Sequence, residues 1–136
     1  MRPLFLALPL LPLFALPAAA QDYITFQAPS GNIHCAISSW DPAEARCDID
    51  EYTPSFPGHP DWCDGDYGFA FAVQTTGAGS PICASDTVRD PQAPVLPYGR
   101  SIGLAGLTCS SAETGMTCVN ASGHGFTLSR RSQRVF

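Results

Sequence analysis

The chain holds three histidines, the side chains best suited to proton transfer near neutral pH, at His34, His59 and His124. His124 stands between Gly123 and Gly125, and glycines permit backbone shapes that would hold an imidazole at a fixed angle. His34 neighbours Cys35 in an alternating stretch and is expected to face solvent. His59 lies in Pro57-Gly58-His59-Pro60, a rigid surface loop. No serine sits in a Gly-x-Ser-x-Gly elbow, and there is no His-Glu-x-x-His pattern or phosphate-cradling glycine loop. A structural hydrogen bond from the His124 ring to a neighbouring strand is the expectation. A small hydrolase using His124, with an acid brought close by the fold, is the alternative. No residue is assigned a catalytic role.

Two further clusters suit binding. Asp61, Asp64 and Asp66 crowd around Trp62 and Cys63, an oxygen density that would suit Ca²⁺, but the spacing fits no EF-hand loop. Solvated loop acids are the expectation, with no metal and no cofactor. Trp62, Tyr67 and Tyr98 fall in or beside proline-rich loops, where aromatic faces either stack on a sugar or peptide or close the rim of a small core. With His124 they are the candidate binding residues. Asn120-Ala121-Ser122 has the glycan-acceptor pattern.

Those residues must be positioned by a small exported domain. Arg2, an apolar run from Leu4 to Leu16 and Ala18-Ala19-Ala20 together make a secretory signal peptide over 1–20. The run is 13 residues long and is broken by Pro9 and Pro12, whereas a spanning helix needs about 20 apolar residues. Cleavage after Ala20 leaves one domain, 21–136, in the periplasm or secreted. Seven arginines and no lysine against twelve acids give a net charge of −5. Such a surface repels phosphate backbones and anionic lipid heads, so nucleic acid is a poor partner and no membrane span is expected. Arg130, Arg131 and Arg134 read as a solvated end. The terminal Phe136 alone does not make an outer-membrane barrel, because the alternating stretches are too short for its strands.

Six cysteines in a small exported chain read as three disulfides. Ile33, Cys35 and Ile37 alternate with His34 and Ala36, and Ala45, Cys47 and Ile49 alternate with Arg46 and Asp48. Both stretches have the period of a strand with its cysteine on the apolar face. Placing Cys35 opposite Cys47 sets Ile33 against Ile49, Ile37 against Ala45 and Ser38 against Glu44, with 39–43 as the loop and the charges outward. Placing Cys109 opposite Cys118 sets Ser111 against Met116, with 112–115 as the loop. Cys63–Cys83 follows by elimination. Each bridge is worth roughly 3 kcal/mol in the chain-entropy model.

Further strands are expected at Tyr23–Ala28, Gly68–Val73, Ile82–Ser85, Ser101–Leu104 and Phe126–Ser129, with turn clusters at 29–32, 54–60, 91–97 and 123–125. No stretch carries a helical period with caps. The fold class is all-β, a disulfide-stapled antiparallel sandwich or barrel of short hairpins.

Several segments together resemble a bacterial exported domain family of unknown function. They are Pro29-Ser30-Gly31-Asn32, Arg46-Cys47-Asp48-Ile49, Cys83 with Asp86-Thr87, Leu96-Pro97-Tyr98-Gly99, Gly115 to Cys118, and Gly123-His124-Gly125-Phe126 with Leu128-Ser129-Arg130. Tyr67 replaces the tryptophan of the family's Cys-then-Asp-Trp-Gly pattern, and Gln133 stands where an aromatic is expected. The resemblance implies a bacterial, exported protein and brings no catalytic residues. The functional expectation is a non-catalytic module binding a cell-envelope protein or glycan. The hydrolase is one rival, and a structural envelope module without a ligand is the other.

Overall fold

The computed structural model describes Pro12, Ala15 and residues 22–136. The leader expected over 1–20 lies, those two residues apart, outside the described residues. Ten strands form two antiparallel five-stranded meanders. The first sheet runs β1 (Tyr23–Gln27), β2 (Ile33–Ser38), β3 (Glu44–Ile49), β4 (Asp66–Gln74) and β5 (Ser80–Ala84), paired in chain order. The second runs β6 (Ser101–Leu104), β7 (Leu107–Ala112), β8 (Gly115–Val119), β9 (Gly125–Leu128) and β10 (Gln133–Val135), again in chain order. The sheets face each other as an open sandwich and do not close into a barrel.

Alternation explains the layering. Ile33, Cys35 and Ile37, with Ala45, Cys47 and Ile49, turn one face of the first sheet inward with Phe26, Phe71 and Val73. Leu107, Cys109, Met116, Cys118, Phe126 and Leu128 meet them from the second sheet. Two disulfides, Cys35–Cys47 and Cys109–Cys118, sit back to back at the centre, with the Cys47 and Cys118 sulfurs 3.6 Å apart. Each joins residues directly opposite in the ladder, with Cα atoms 4.1 and 4.0 Å apart, near the spacing of a non-hydrogen-bonded pair. Cys63–Cys83 is the third bridge and ties the loop before β4 to β5.

The β2–β3 register sets Ile33 against Ile49 and Ser38 against Glu44, as the cysteine alignment requires. Three expectations need correction. The β7–β8 ladder continues to Ala112 opposite Gly115, so its turn is shorter than 112–115. The arginine-rich end is not a free tail. Its residues 133–135 pair with β9, and buried Gln133 accepts a bond from the Ser55 amide and donates one to the Ser129 carbonyl. Most consequentially, the polar faces of β2 and β3 are covered: His34 and Asp48 are buried.

The cover is the segment joining the two sheets. Residues 86–96 cross the outer face of the first sheet as a strap. The Gln27 side chain donates to the carbonyls of Pro91 and Ala93, and Val95 lies beside Gln27 in a parallel bridge. His34 Nε2 lies 2.9 Å from the Gly31 carbonyl, and the Asp90 amide donates to its Nδ1. The first can only accept and the second only donate, so the proton sits on Nε2. Asp48 accepts from Arg46 Nε and Nη2, from the Thr87 hydroxyl and from the Val88 amide at 2.9–3.1 Å.

Candidate functional site

The end of the first sheet where β3 leaves and β4 enters opens into a cleft of about 550 Å³. Tyr52, Tyr67 and Phe69 form its aromatic lining over Ile49, and His59, Asp66, Asp50, Thr87 and Arg89 supply polar groups. Tyr67 belongs to β4, beside the irregularity at which the β4–β5 register shifts. Gly68 there has φ +96°, and a Cβ on it would press on the Phe56 carbonyl at 2.9 Å. This left-handed position needs glycine, and the kink re-aims Tyr67 relative to the regular strand. The Cys63–Cys83 bridge anchors the approaching loop.

Polar contacts hold the walls in place. Arg89 Nε pairs with Asp50 at 2.9 Å, and His59 Nε2 donates to the Gly65 carbonyl at 2.6 Å. Trp62, exposed, meets Tyr67 edge-to-face with centroids 5.9 Å apart and extends the aromatic surface outward. Burial pushes the Tyr52 phenol above its ordinary value, and the Asp66 carboxylate adds to the shift. The folded state therefore holds this proton longer than the unfolded chain, whose tyrosines ionise at about 10. The associated stability is whole below that pH and is lost as pH rises through the folded value. Tyr52→Phe is expected to remove from the phenolate titration, followed by ultraviolet absorbance, the part that Tyr52 itself contributes above its ordinary value. Asp66→Asn is expected to move that part to lower pH.

The four candidate binding residues divide. Trp62 and Tyr67 come together here. Tyr98 lies in a smaller recess with Ser111, Glu113 and Arg130. His124 is exposed, and its ring makes no hydrogen bond or ion pair among the described residues. The ring bond expected for it is absent; the backbone carries the turn instead, with the His124 amide donating to Asn120 Oδ1. The flanking glycine serves close packing. A Cβ on Gly125 would run into the Cys118 carbonyl of β8.

Asp61, Asp64 and Asp66 do not converge. The one cluster of metal-type ligands among the described residues is Cys35, Cys47 and Cys118, whose sulfurs are spent in disulfides. Asn120 is buried and donates to the carbonyls of Gln74 and Gly77, so its amide nitrogen is not presented as a glycan acceptor. Sequence reasoning missed Tyr52, Phe69 and Arg89. Only the strap and the β4 kink bring them together, and no local spacing signals that.

The segments that suggested kinship are mutually wired. Arg46 and Asp48 of the second motif hold Asp86 and Thr87 of the third, while Asn32 of the first exchanges bonds with the Glu51 backbone. Burial pulls the Arg46 pKa down, but its bonds to Asp48 and Asp86 more than offset this and leave it raised. The same Arg46 contact holds the Asp86 carboxyl below the usual range. A model described as a family of unknown function (DUF6636) matches residues 6–136. The chain belongs to that family. No curated protein and no solved structure matches it. In this family member, then, Arg46, Asp48, Asp86 and Thr87 of the motifs secure the strap, and Asp50, Tyr52, His59, Phe69 and Arg89 of the cleft lie outside the motifs.

Proposed function

We propose that this family member is an exported bacterial module, cleaved after Ala20, that binds a cell-envelope glycan in the Tyr52–Tyr67–Phe69 cleft without transforming it. The observation that carries the reading is the pairing of three aromatic side chains with Asp66, Arg89 and His59 around one open cleft. Pyranose C–H faces stack on aromatic rings, while carboxylate and guanidinium groups bond ring hydroxyls. The volume falls within the usual range for small-molecule sites. Three disulfides fit an oxidising compartment. The His124 hydrolase gains no support, since no acid among the described residues bonds that ring.

The test is a titration of the ¹⁵N-labelled, oxidised protein with soluble N-acetylglucosamine oligomers and with maltohexaose. Saturable movement of the Trp62 indole signal and of the Tyr67 and Phe69 amides is expected with one of them. Tyr67→Ala should weaken that binding about tenfold, the equivalent of about 1.4 kcal/mol. Signals that stay put with both sugars, or binding untouched by Tyr67→Ala, would replace this reading with a structural envelope module.

A further inference from the structure

At the opposite end of the first sheet lies a second depression, of about 400 Å³, lined by Tyr23, Trp40, Asp41, Glu44, Arg46 and Asp86 among others. Tyr23 and Trp40 are stacked, with centroids 5.5 Å apart and planes 11° from parallel, yet they remain 49% and 47% exposed. Half-exposed aromatics stacked only on each other keep outer faces open to a ligand. Their positions are fixed before any ligand arrives. The Ser39 amide donates to the Asp22 carbonyl at 2.9 Å, and the Asp22 amide donates to Ser39 Oγ at 2.7 Å. These bonds carry the β1–β2 ladder one step past the strands and hold the Trp40 loop beside Tyr23.

The charge around these rings is one-sided. Arg46 is the single cation, and it is already committed to Asp48 behind it and Asp86 beside it, each at 2.9 Å. Asp41 and Glu44 line the same groove with no cation paired to them among the described residues. Three carboxylates, Asp41, Glu44 and Asp86, therefore line the groove with one guanidinium that Asp48 already neutralises from behind, next to two aromatic faces. Aromatic rings attract cations through their quadrupole, and excess carboxylates add a field of the same sense. A phosphate, a carboxylate or an anionic lipid head would be repelled.

We propose that this groove binds an organic cation, an ammonium or guanidinium on a short alkyl chain, seated over Trp40 and Tyr23 and facing Asp41, Glu44 and Asp86. The alkyl part packs along the rings, and the charged head meets the carboxylates. A free amine and the basic side chain of a peptide share that chemistry. The groove shares no lining residue with the glycan cleft.

The chain's two tryptophans make the test clean, because Trp40 reports this groove and Trp62 the cleft. The oxidised ¹⁵N-labelled protein is titrated with 1,5-diaminopentane and with an acetylated Lys-Gly-Lys amide. The controls are 1,5-pentanediol, the norleucine version of the peptide, and sodium chloride at matched ionic strength. The Trp40 indole signal is expected to move saturably with one or both cations, while Trp62 and the controls stay still. Response to the diamine identifies a free amine as sufficient; response to the peptide alone identifies a basic segment of a partner. The Asp41→Asn, Glu44→Gln double variant, which keeps the shape of both side chains, should weaken binding about tenfold, and Trp40→Leu, followed through the Ala36 amide, at least about fivefold. A stationary Trp40 signal with both cations, a shift matched by sodium chloride, or binding unaltered in the double variant would overturn the proposal.

Discussion

Asp48→Ala is expected to cost about 3–5 kcal/mol, the range for breaking a buried ion pair from one side. The side chain is only 2% exposed and accepts four hydrogen bonds from three residues. Its removal takes the acceptor from the half-buried Val88 amide and from the hydroxyl of the exposed Thr87, and leaves Arg46, itself 13% exposed, with Asp86 alone. A donor so orphaned that stays out of water costs about 1–3 kcal/mol in desolvation. Urea unfolding measures the total, and hydrogen exchange at Val88 shows whether the strap has lifted. In a double-mutant cycle with Arg46→Ala the two losses should add to less than their sum, because both remove the same contact. The control is the exposed Arg130–Glu51 pair, with side chains 63% and 74% exposed. Arg130→Ala should change stability by less than about 1 kcal/mol. Equal effects at Asp48 and Arg130 would refute the buried network.

The same network marks where sequence reading stops. Alternation in Ile33–Ile37 and Ala45–Ile49 gives the inward face correctly, because an apolar residue every second position has one way to be buried. The opposite face carries His34, Arg46 and Asp48, and period two cannot distinguish a polar face in water from one under a polar strap. The strap itself, residues 86–96, is proline-punctuated and non-repetitive, so nothing in its local pattern declares what it covers. The distinguishing fact is stoichiometric: the partners of Asp48 come from Arg46 two residues away and from Thr87 and Val88 about forty residues away.

The candidate site follows the same division. The nearness of Trp62 to Tyr67 is legible because both stand close to Cys63 in the chain, five positions apart. Tyr52, Phe69 and Arg89 come from three separate segments and meet only when the kink at Gly68 and the strap are in place. Trp40 and Tyr23 are seventeen positions apart, and their stacking depends on the β1–β2 register, which sets Tyr23 against Ser38. The basic end was misread for a related reason. Arg134 alternates with Gln133 and Val135, but three residues are too few to reveal a strand without the β9 edge they pair with.

Removing the central bridge by Cys35→Ala with Cys47→Ala is expected to cost about 4–5 kcal/mol, toward the top of the range for a native disulfide in a small exported domain. Loop length alone argues the other way. Cys63–Cys83 spans a sequence separation of 20 against 12 for Cys35–Cys47, so the chain-entropy model favours the longer loop by about 0.5 kcal/mol. Packing outweighs that difference. Cys35 and Cys47 are wholly buried between the sheets, and Cys47 touches Cys118 of the opposing bridge. Trimming both to alanine leaves a void at the centre of the sandwich as well as a freer unfolded chain. Cys83 is only partly buried, on the edge strand β5, so Cys63→Ala with Cys83→Ala should cost about 2–3 kcal/mol. Urea midpoints of the two variants decide between loop length and packing. The reverse order of stabilities would mean that loop closure, not the sulfur contact between sheets, dominates. Combining the central pair with Cys109→Ala and Cys118→Ala tests the contact itself. Because the two bridges share one cavity, the losses should depart from additivity by at least about 0.5 kcal/mol, whereas either central pair combined with the Cys63–Cys83 variant should add.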